Sequence, residues 1–120
     1  MTDPIDAPTF ASLVEMTGGE MDFVDELVDT YLEDGANQLA TMRAALDSGD
    51  LEALTRAAHS MKSGSLNVGA LELGSLCRAL EEAGRGGSVA DGADRVAEIE
   101  AGFGAARAAL LDERTRRAQG

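Results

Sequence analysis

The stretch "AAHSMKSGSLNVGALELGSLCRAL", residues 57–80, contains the patterns of two helices separated by a short turn. Apolar residues recur at intervals of three and four on both sides of "NVG", residues 67–69, without the sustained period of two that strands require. We predict one helix over about residues 51–66 and a second over residues 70–83. Because the turn between them is short, the two helices are expected to pack side by side in opposite directions.

The chain before this stretch predicts two further helices. Residues 9–16 have the apolar spacing of a short helix, and about residues 20–47 have that of a long one. Between them, Thr17 and Glu20 stand at the spacing of a capping box, which would begin the long helix. A glycine and an aspartate at residues 49–50 are placed to end that helix and to cap the next one. The predicted apolar stripe of the long helix consists of Val24, Leu27, Tyr31, Leu39, Met42 and Leu46.

The chain after this stretch predicts one more long helix. Ser88 and Asp91 have the spacing of a helix start, and helical apolar spacing continues over about residues 89–114. We expect residues 115–120 to be frayed.

These patterns together predict the fold class. Four long amphipathic helices and a short one, joined by short turns, indicate an all-α fold: an antiparallel up-and-down four-helix bundle with an additional short N-terminal helix. A chain of 120 residues has room for one hydrophobic core. We therefore expect a single domain over residues 1–120, ordered over about residues 9–114.

Composition restricts the class of protein. A formal net charge of -12 at pH 7 argues against nucleic-acid binding, which needs concentrated Lys and Arg. No apolar run approaches the roughly 20 residues that cross a bilayer, and the N-terminus lacks the pattern of a signal peptide. The single cysteine, Cys77, permits no internal disulfide and is expected to lie in the core. We expect a cytoplasmic protein that does not associate with membranes.

The only histidine of the chain, His59, lies in a basic segment of an acidic protein. Residues 1–50 hold twelve acidic residues and one basic residue, whereas acids and bases nearly balance in the rest of the chain. Arg56 and Lys62 stand three residues before and three residues after the histidine. The local charge around His59 is therefore opposite in sign to that of the whole protein.

His59 does not fall on the apolar stripe of its helix. At about 100° per residue, the apolar positions of this helix cluster within roughly 80°, and His59 points about 110° from their centre. The stripe consists of Leu51, Leu54, Ala58, Met61 and Ser65. Within about 60° of His59 on the same helix lie Arg56, Lys62, Ser63 and Leu66. We expect the imidazole at the surface, bordered by cations and a small hydroxyl group.

A lone histidine supports few kinds of chemistry. A zinc site needs three or four His or Cys ligands and the chain has one of each, so we expect no metal site. No second histidine or GxSxG elbow is present for a hydrolytic triad, and no P-loop or glycine-rich fingerprint for ATP. What remains is a single nucleophilic nitrogen. A phosphoryl group suits it, because the neighbouring cations would stabilise the charge in transfer.

The segment "AHSMKSGSLNVGALELGSLCRALE", residues 58–81, resembles the signature of histidine-containing phosphotransfer (HPt) domains. It has a His, a Lys three residues later, a run of small residues, and a short Gly-Ala turn before the next helix. The similarity in helix order and length extends over roughly residues 10–112. HPt domains are four-helix bundles that carry a phosphoryl group between aspartates of receiver domains, and some take it from a histidine kinase.

The resemblance implies partners and a cofactor source. The partners would be response-regulator receiver domains, a hybrid histidine kinase, or both, and the chain would act as a monomeric phosphocarrier without kinase activity of its own. It would need no cofactor of its own, since the receiver would supply Mg²⁺.

The resemblance also implies roles for individual residues. His59 would be phosphorylated and Lys62 would support the phosphoryl group. HPt domains often have a polar residue near position 81, so Glu81 would hold Nδ1–H of the imidazole and leave Nε2 free to attack. Alternatively, Glu81 is exposed and pairs with Arg78 or Arg85.

Five residues around the histidine are expected to contact a partner: Arg56, Ser63, Gly64, Leu66 and Arg85. Ser63 stands where HPt domains usually have glycine, which bears on how closely a receiver can approach. Arg85 would attract acidic groups of a receiver, or else is a solvated charge at a helix end. Four apolar residues are either a docking patch or ordinary core: Phe10, Val14, Met21 and Val24. The methionines, Met16 included, are expected to pack rather than to form a binding surface.

Two other functions are open to this pattern. A helical adaptor would bind receivers through the same face without being phosphorylated, but the intact His59 and Lys62 count against it. A dimerisation helix pair of a kinase is disfavoured, because such histidines are normally followed directly by an acid and here Ser60 follows.

Overall fold

The computed structural model describes residues 3–87 and 89–119, which form five helices and no strand. The helices are α1 (Ala7–Met16), α2 (Met21–Ser48), α3 (Leu51–Val68), α4 (Leu71–Arg85) and α5 (Gly92–Gln119). Each long helix packs on the next one along the chain, α5 packs on α2, and α1 lies against α2 and α3. The predicted four-helix bundle with an additional short N-terminal helix is confirmed. Within the described ranges, no helix is long and apolar enough to cross a membrane.

The junction between α1 and α2 differs from the predicted capping box. Asp6 caps α1 by accepting a hydrogen bond from the Thr9 amide at 3.2 Å. Thr17 ends α1, and its hydroxyl donates to the Val14 carbonyl oxygen at 2.7 Å. Glu20 precedes α2 without a side-chain cap. The capping-box prediction was wrong because the Thr17 hydroxyl is used at the end of α1 and is not available to α2.

The junction between α2 and α3 agrees with the sequence prediction. Gly49 ends α2 in the left-handed conformation with φ 74°, which glycine adopts at no steric cost. Asp50 then caps α3, because its carboxylate accepts a hydrogen bond from the Ala53 amide at 3.0 Å.

Three helices extend further than their patterns predicted. α3 continues to Val68 and ends at Gly69, which is left-handed with φ 92°. α4 continues to Arg85, two residues past its predicted end at residue 83. α5 begins at Gly92 and is helical to Gln119, so the expected fraying from residue 115 was wrong wherever the chain is described. The predicted start at Ser88 lies outside the described residues.

Ion pairs hold the last turns of α5 against the beginning of the chain. The Arg114 guanidinium lies 2.9 Å from the Asp29 carboxylate and 3.0 Å from the Asp25 carbonyl oxygen. The Arg117 guanidinium lies over the Phe10 ring at 5.3 Å and donates to Met21 Sδ at 3.5 Å. These contacts explain why α5 remains helical where local pattern predicted fraying.

The core is apolar and receives side chains from all five helices. On α3, the stripe predicted to face inward is buried from Leu54 to Ser65, and Leu51 is half-buried. Cys77 is fully buried as expected, and burial raises the pKa of its thiol to about 12. On α2, Val28 is buried where Leu27 was expected, so that Leu27 is 37% exposed.

Four apolar residues of α1 and α2 left open as docking patch or core belong to the core. Phe10 and Val24 are buried, and Val14 and Met21 are half-buried and packed against the core cluster. Met16 contradicts the expectation that it packs, because it is 83% exposed.

Candidate functional site

His59 lies on the solvent side of α3. Its side chain is 54% exposed, whereas its neighbour Ala58 and Met61, one half-turn on, are fully buried. The prediction that the imidazole lies off the apolar stripe is confirmed. The ring is therefore accessible to a second protein.

Glu81 is a buried carboxylate that is hydrogen-bonded to two side chains and forms an ion pair with a third. Only 1% of its side chain is exposed. Oε2 lies 2.8 Å from His59 Nδ1 and 2.6 Å from Arg85 Nη2, and Oε1 lies 2.6 Å from Lys62 Nζ. The hydrogen bond from Lys62, followed by that from His59 and the charge of Arg85, holds the pKa of the Glu81 carboxyl below its ordinary value, against the effect of burial. Glu81 is therefore ionised.

This arrangement fixes the form of the imidazole. An ionised carboxylate only accepts hydrogen bonds, so the nitrogen facing it, Nδ1, carries the proton. The other nitrogen, Nε2, makes no hydrogen bond within the described residues, and in the neutral ring it carries the free lone pair. The chain thus presents an oriented imidazole with its nucleophilic nitrogen directed away from Glu81.

The structure decides between the two sequence interpretations of Glu81. The exposed interpretation was wrong, because Glu81 is buried against α3, and Arg78 pairs with Glu82 at 3.4 Å. Arg85 does pair with Glu81, and in doing so it joins the cluster around His59. Lys62 is only 22% exposed, since its amine is bound to the same carboxylate.

Two glycines of α4 let Glu81 reach α3. A Cβ on Gly74 would lie 2.6 Å from Leu66 Cδ2, and one on Gly84 would overlap the Thr55 hydroxyl. Both positions lie where α4 meets α3, one on each side of Glu81 along the chain. Larger residues there would separate the two helices and withdraw the carboxylate from the imidazole.

The remaining predicted site residues are spread around the ring. Arg56 is exposed and its guanidinium lies 3.7 Å from Glu52, one turn back on α3, so the structure does not bring it to Glu81. Ser63 is exposed, and no hydrogen bond from its hydroxyl is found in the described part of the chain. Leu66 is 43% exposed, and Gly64 is half-buried.

Gly64 accommodates an aromatic side chain that sequence reasoning did not assign to the site. A Cβ on Gly64 would lie 3.2 Å from Tyr31 Cδ1, so the Tyr31 ring rests on α3 just beyond His59. The Tyr31 hydroxyl bonds Ser65 Oγ at 2.8 Å, and burial raises the pKa of Tyr31 to about 12. Gly64, one residue after Ser63, therefore leaves room for the Tyr31 ring.

A groove of about 460 Å³ lies between α1, α2 and α3, and its α3 lining begins at Ser60, the residue after His59. Its lining includes Leu13, Met16, Leu27, Tyr31, Gly64 and Leu66. Met16, Leu27 and Leu66 are among the large apolar side chains that remain exposed. The sequence predicted Gly64 and Leu66 as partner contacts but not Met16 and Leu27. Met16 was expected to pack as methionines usually do, and Leu27 to be buried by its helical spacing.

The chain matches a known protein family over most of its length. The family model of the Hpt domain matches residues 26–109. This chain belongs to the Hpt domain family. The crystal structure of histidine-containing phosphotransfer protein B (HptB) from Pseudomonas aeruginosa PAO1 is similar to it, with a TM-score of 0.89 and 34% sequence identity. That similarity covers 97% of this chain and 98% of the other. The comparison with curated proteins gives no significant match.

Membership of the Hpt family confirms the resemblance predicted from residues 58–81. Hpt domains transfer phosphoryl groups through a histidine in phosphorelays, where they interact with receiver domains and kinases. Among the described residues, no group of three or more His, Cys, Asp and Glu side chains is arranged to hold a metal ion.

Proposed function

We propose that this chain accepts a phosphoryl group on Nε2 of His59 from the aspartyl phosphate of a receiver domain, or from a histidine kinase, and passes it to another receiver. The observation that carries the proposal is the pairing of an exposed imidazole with a buried, ionised Glu81. A histidine that merely filled surface space would not need a buried carboxylate that is itself held by Lys62 and Arg85.

The transfer step uses groups already in place. The lone pair of Nε2 attacks phosphorus, the bond between phosphorus and the aspartate oxygen breaks, and its electron pair stays on the aspartate as a carboxylate. Mg²⁺ bound to the receiver would neutralise charge on the phosphoryl oxygens. Lys62, whose ammonium has two further donors beyond its bond to Glu81, would support the phosphoryl group from this side.

The groove beside His59 supports a docking surface for the receiver. Met16, Leu27 and Leu66 would lose water-exposed apolar area when a partner covers them. Ser63 and Gly64 add no bulk beside the imidazole, so a receiver can bring its aspartate to Nε2. Arg56 and Arg85, both largely exposed, would lie at the rim and attract acidic groups.

The proposal is tested by phosphate transfer from phosphorylated receivers in the presence of Mg²⁺. We expect acid-labile, alkali-stable label on the wild type and on Ser60→Ala, a matched neighbour, and none on His59→Gln. Label that persists on His59→Gln, or a wild type that no phosphorylated receiver or kinase labels, would contradict the proposal. Receiver binding without label would favour the alternative, an adaptor that is never phosphorylated.

A further inference from the structure

Phosphorylated histidine exists in two protonation forms that differ in reactivity. With a proton on Nδ1 the ring is positive, and cleavage of the P–Nε2 bond returns the electron pair to Nε2 and releases neutral imidazole. Without that proton, the same cleavage releases an imidazolate anion, which is a much poorer leaving group. The chemical group that faces Nδ1 therefore determines how readily the phosphoryl group leaves.

In this chain the group that faces Nδ1 is unable to donate a hydrogen bond. Glu81 Oε2 lies 2.8 Å from Nδ1, and an ionised carboxylate offers only lone pairs. If Nδ1 lost its proton, two lone pairs would face each other at a buried site. Lys62 and Arg85, each 2.6 Å from the carboxylate, oppose its protonation, because both are positively charged.

The charges around the ring also favour a proton on Nδ1 after phosphorylation. Lys62 and Arg85 carry two positive charges against the one negative charge of Glu81. A phosphoryl group adds about two negative charges. Protonation of the ring then brings the cluster to neutrality, whereas a neutral ring leaves it with one negative charge.

The other titratable groups around the cluster do not reverse this balance. On α4, burial raises the pKa of Cys77 to about 12, and on α2 it does the same for Tyr31, so both are uncharged. Arg56 of α3 is exposed and lies near Glu52, which offsets its charge.

We propose that Glu81 keeps the proton on Nδ1 of phosphorylated His59, so that the phosphohistidine remains in its transfer-ready form. The inference rests on the proposed function and concerns its second half, the release of the phosphoryl group. In that step the P–Nε2 bond breaks, a bond forms between phosphorus and an aspartate oxygen of the receiver, and the Nδ1 proton stays where it is. Glu81 acts here as a positioning residue, because it touches the imidazole and not the phosphoryl group.

The substitution Glu81→Gln separates this role from a purely structural one. A glutamine fills the same space, but its amide can turn to donate a hydrogen bond to an unprotonated Nδ1. The unreactive form of the phosphohistidine then becomes available as the pH rises. Glu82→Gln is the matched control, because it removes one negative charge from the next position of α4, where the side chain is 67% exposed.

The experiment is an NMR titration of phosphorylated protein labelled with ¹⁵N in histidine. His59 is the only histidine, so Nδ1 gives a single signal. Phosphoramidate, which phosphorylates imidazole without a receiver, serves as the donor. We expect Nδ1 of the wild type and of Glu82→Gln to keep its proton from about pH 7 to about pH 9, and Nδ1 of Glu81→Gln to lose it within that range. The rate at which phosphohistidine is lost can be followed by ³¹P NMR. Over this pH range the rate should vary less than about twofold for the wild type. For Glu81→Gln it should fall about tenfold per pH unit above the pH at which half of Nδ1 has lost its proton.

A wild-type Nδ1 that loses its proton over the same pH range as Glu81→Gln would overturn the inference. The wild-type titration decides the question even if Glu81→Gln fails to fold, because loss of the proton below about pH 9 contradicts the proposal by itself. The failure of the proposed function is distinguishable. A protonated Nδ1 in a protein that exchanges phosphate with no receiver or kinase supports the inference and refutes the relay, whereas no reaction with phosphoramidate refutes both.

Discussion

Lys62 and Glu81 are expected to stabilise the fold as a pair, so that the effect of removing either depends on the other. Glu81 is 1% exposed and Lys62 Nζ lies 2.6 Å from its Oε1. A hydrogen bond between charged groups contributes about 1.5–3 kcal/mol, and loss of one partner leaves the other buried and less well paired. Since His59 and Arg85 still bind the carboxylate, we expect Lys62→Met to lower the free energy of unfolding by about 2 kcal/mol.

A double-mutant cycle measures this coupling. In a background of Glu81→Met, where Lys62 has lost its buried partner, Lys62→Met should cost less than about 0.5 kcal/mol. The free energies of unfolding can be measured at pH 7 by urea denaturation. In thermal melting, a loss of 2 kcal/mol corresponds to a decrease in Tm of roughly 8 °C for a domain of this size. Arg78 and Glu82 form an exposed control pair on α4, 71% and 67% exposed at 3.4 Å, for which the coupling should stay below about 0.5 kcal/mol.

The coupling should also depend on pH in a definite direction. The pKa of folded Glu81 lies below its ordinary value of 4.5, so the stabilisation is fully present above pH 4.5 and is lost as the pH falls through the lower folded value. Equal costs of Lys62→Met in both backgrounds at pH 7, or a coupling that grows on acidification, would refute the reasoning. The same Lys62→Met protein, still folded, should accept a phosphoryl group more slowly than the wild type.

Three further changes test the groove and the helix packing. Met16→Asp should raise the receiver concentration needed for half-maximal transfer by about tenfold while leaving the reaction with phosphoramidate unchanged. If the wild type and Met16→Asp need the same receiver concentration, Met16 is not part of the docking surface. Gly84→Ala should lower the free energy of unfolding by about 1–3 kcal/mol in urea denaturation, because the added Cβ would overlap a hydroxyl of α3. The control is Gly104→Ala on α5, which has open space around it and should raise the free energy of unfolding by up to about 1 kcal/mol. Arg114→Met should lower the free energy of unfolding by about 1 kcal/mol, and by less at high salt, because it removes ion pairs with α2. Arg107→Met, on the exposed side of α5, should change the free energy of unfolding little. Equal losses for the two variants would mean that the ion pairs with α2 contribute nothing.

Local pattern predicted the helices because apolar spacing and capping depend on residues within a few positions of one another. The same reasoning misplaced helix ends wherever a distant contact decided them. The predicted end at residue 83 falls inside α4, because Gly84 lies where that helix meets α3. The end of α5 depends on pairs such as Arg114 with Asp29, which join residues 85 positions apart. No local window contains both partners of such a pair.

The candidate site divides in the same way. The position of His59 off the apolar stripe follows from the rotation of one helix, so the sequence was sufficient to predict its exposure. The burial of Glu81 depends on how α4 is rotated against α3, which the spacing of charges on α4 alone did not determine. Leu27 shows the converse, because its spacing on α2 indicated burial and only the packing of Val28 leaves it at the surface.

One wall of the groove, formed by α1, comes from a part of the chain that does not carry the chemistry. His59, Lys62, Glu81 and Arg85 all lie on α3 and α4, within the residues that match the Hpt family model. α1 provides Met16 to the groove, precedes that match, and is held by other contacts. The backbone amide of its capping residue Asp6 donates a hydrogen bond to the Gly69 carbonyl oxygen at 2.7 Å, and the Arg117 guanidinium lies over the Phe10 ring. Because these contacts do not involve Glu81, the wall of the groove can change in sequence without disturbing the protonation of the imidazole. A fixed chemical centre with a separately variable docking wall is what a phosphocarrier needs if it is to discriminate between receivers that all present the same aspartyl phosphate.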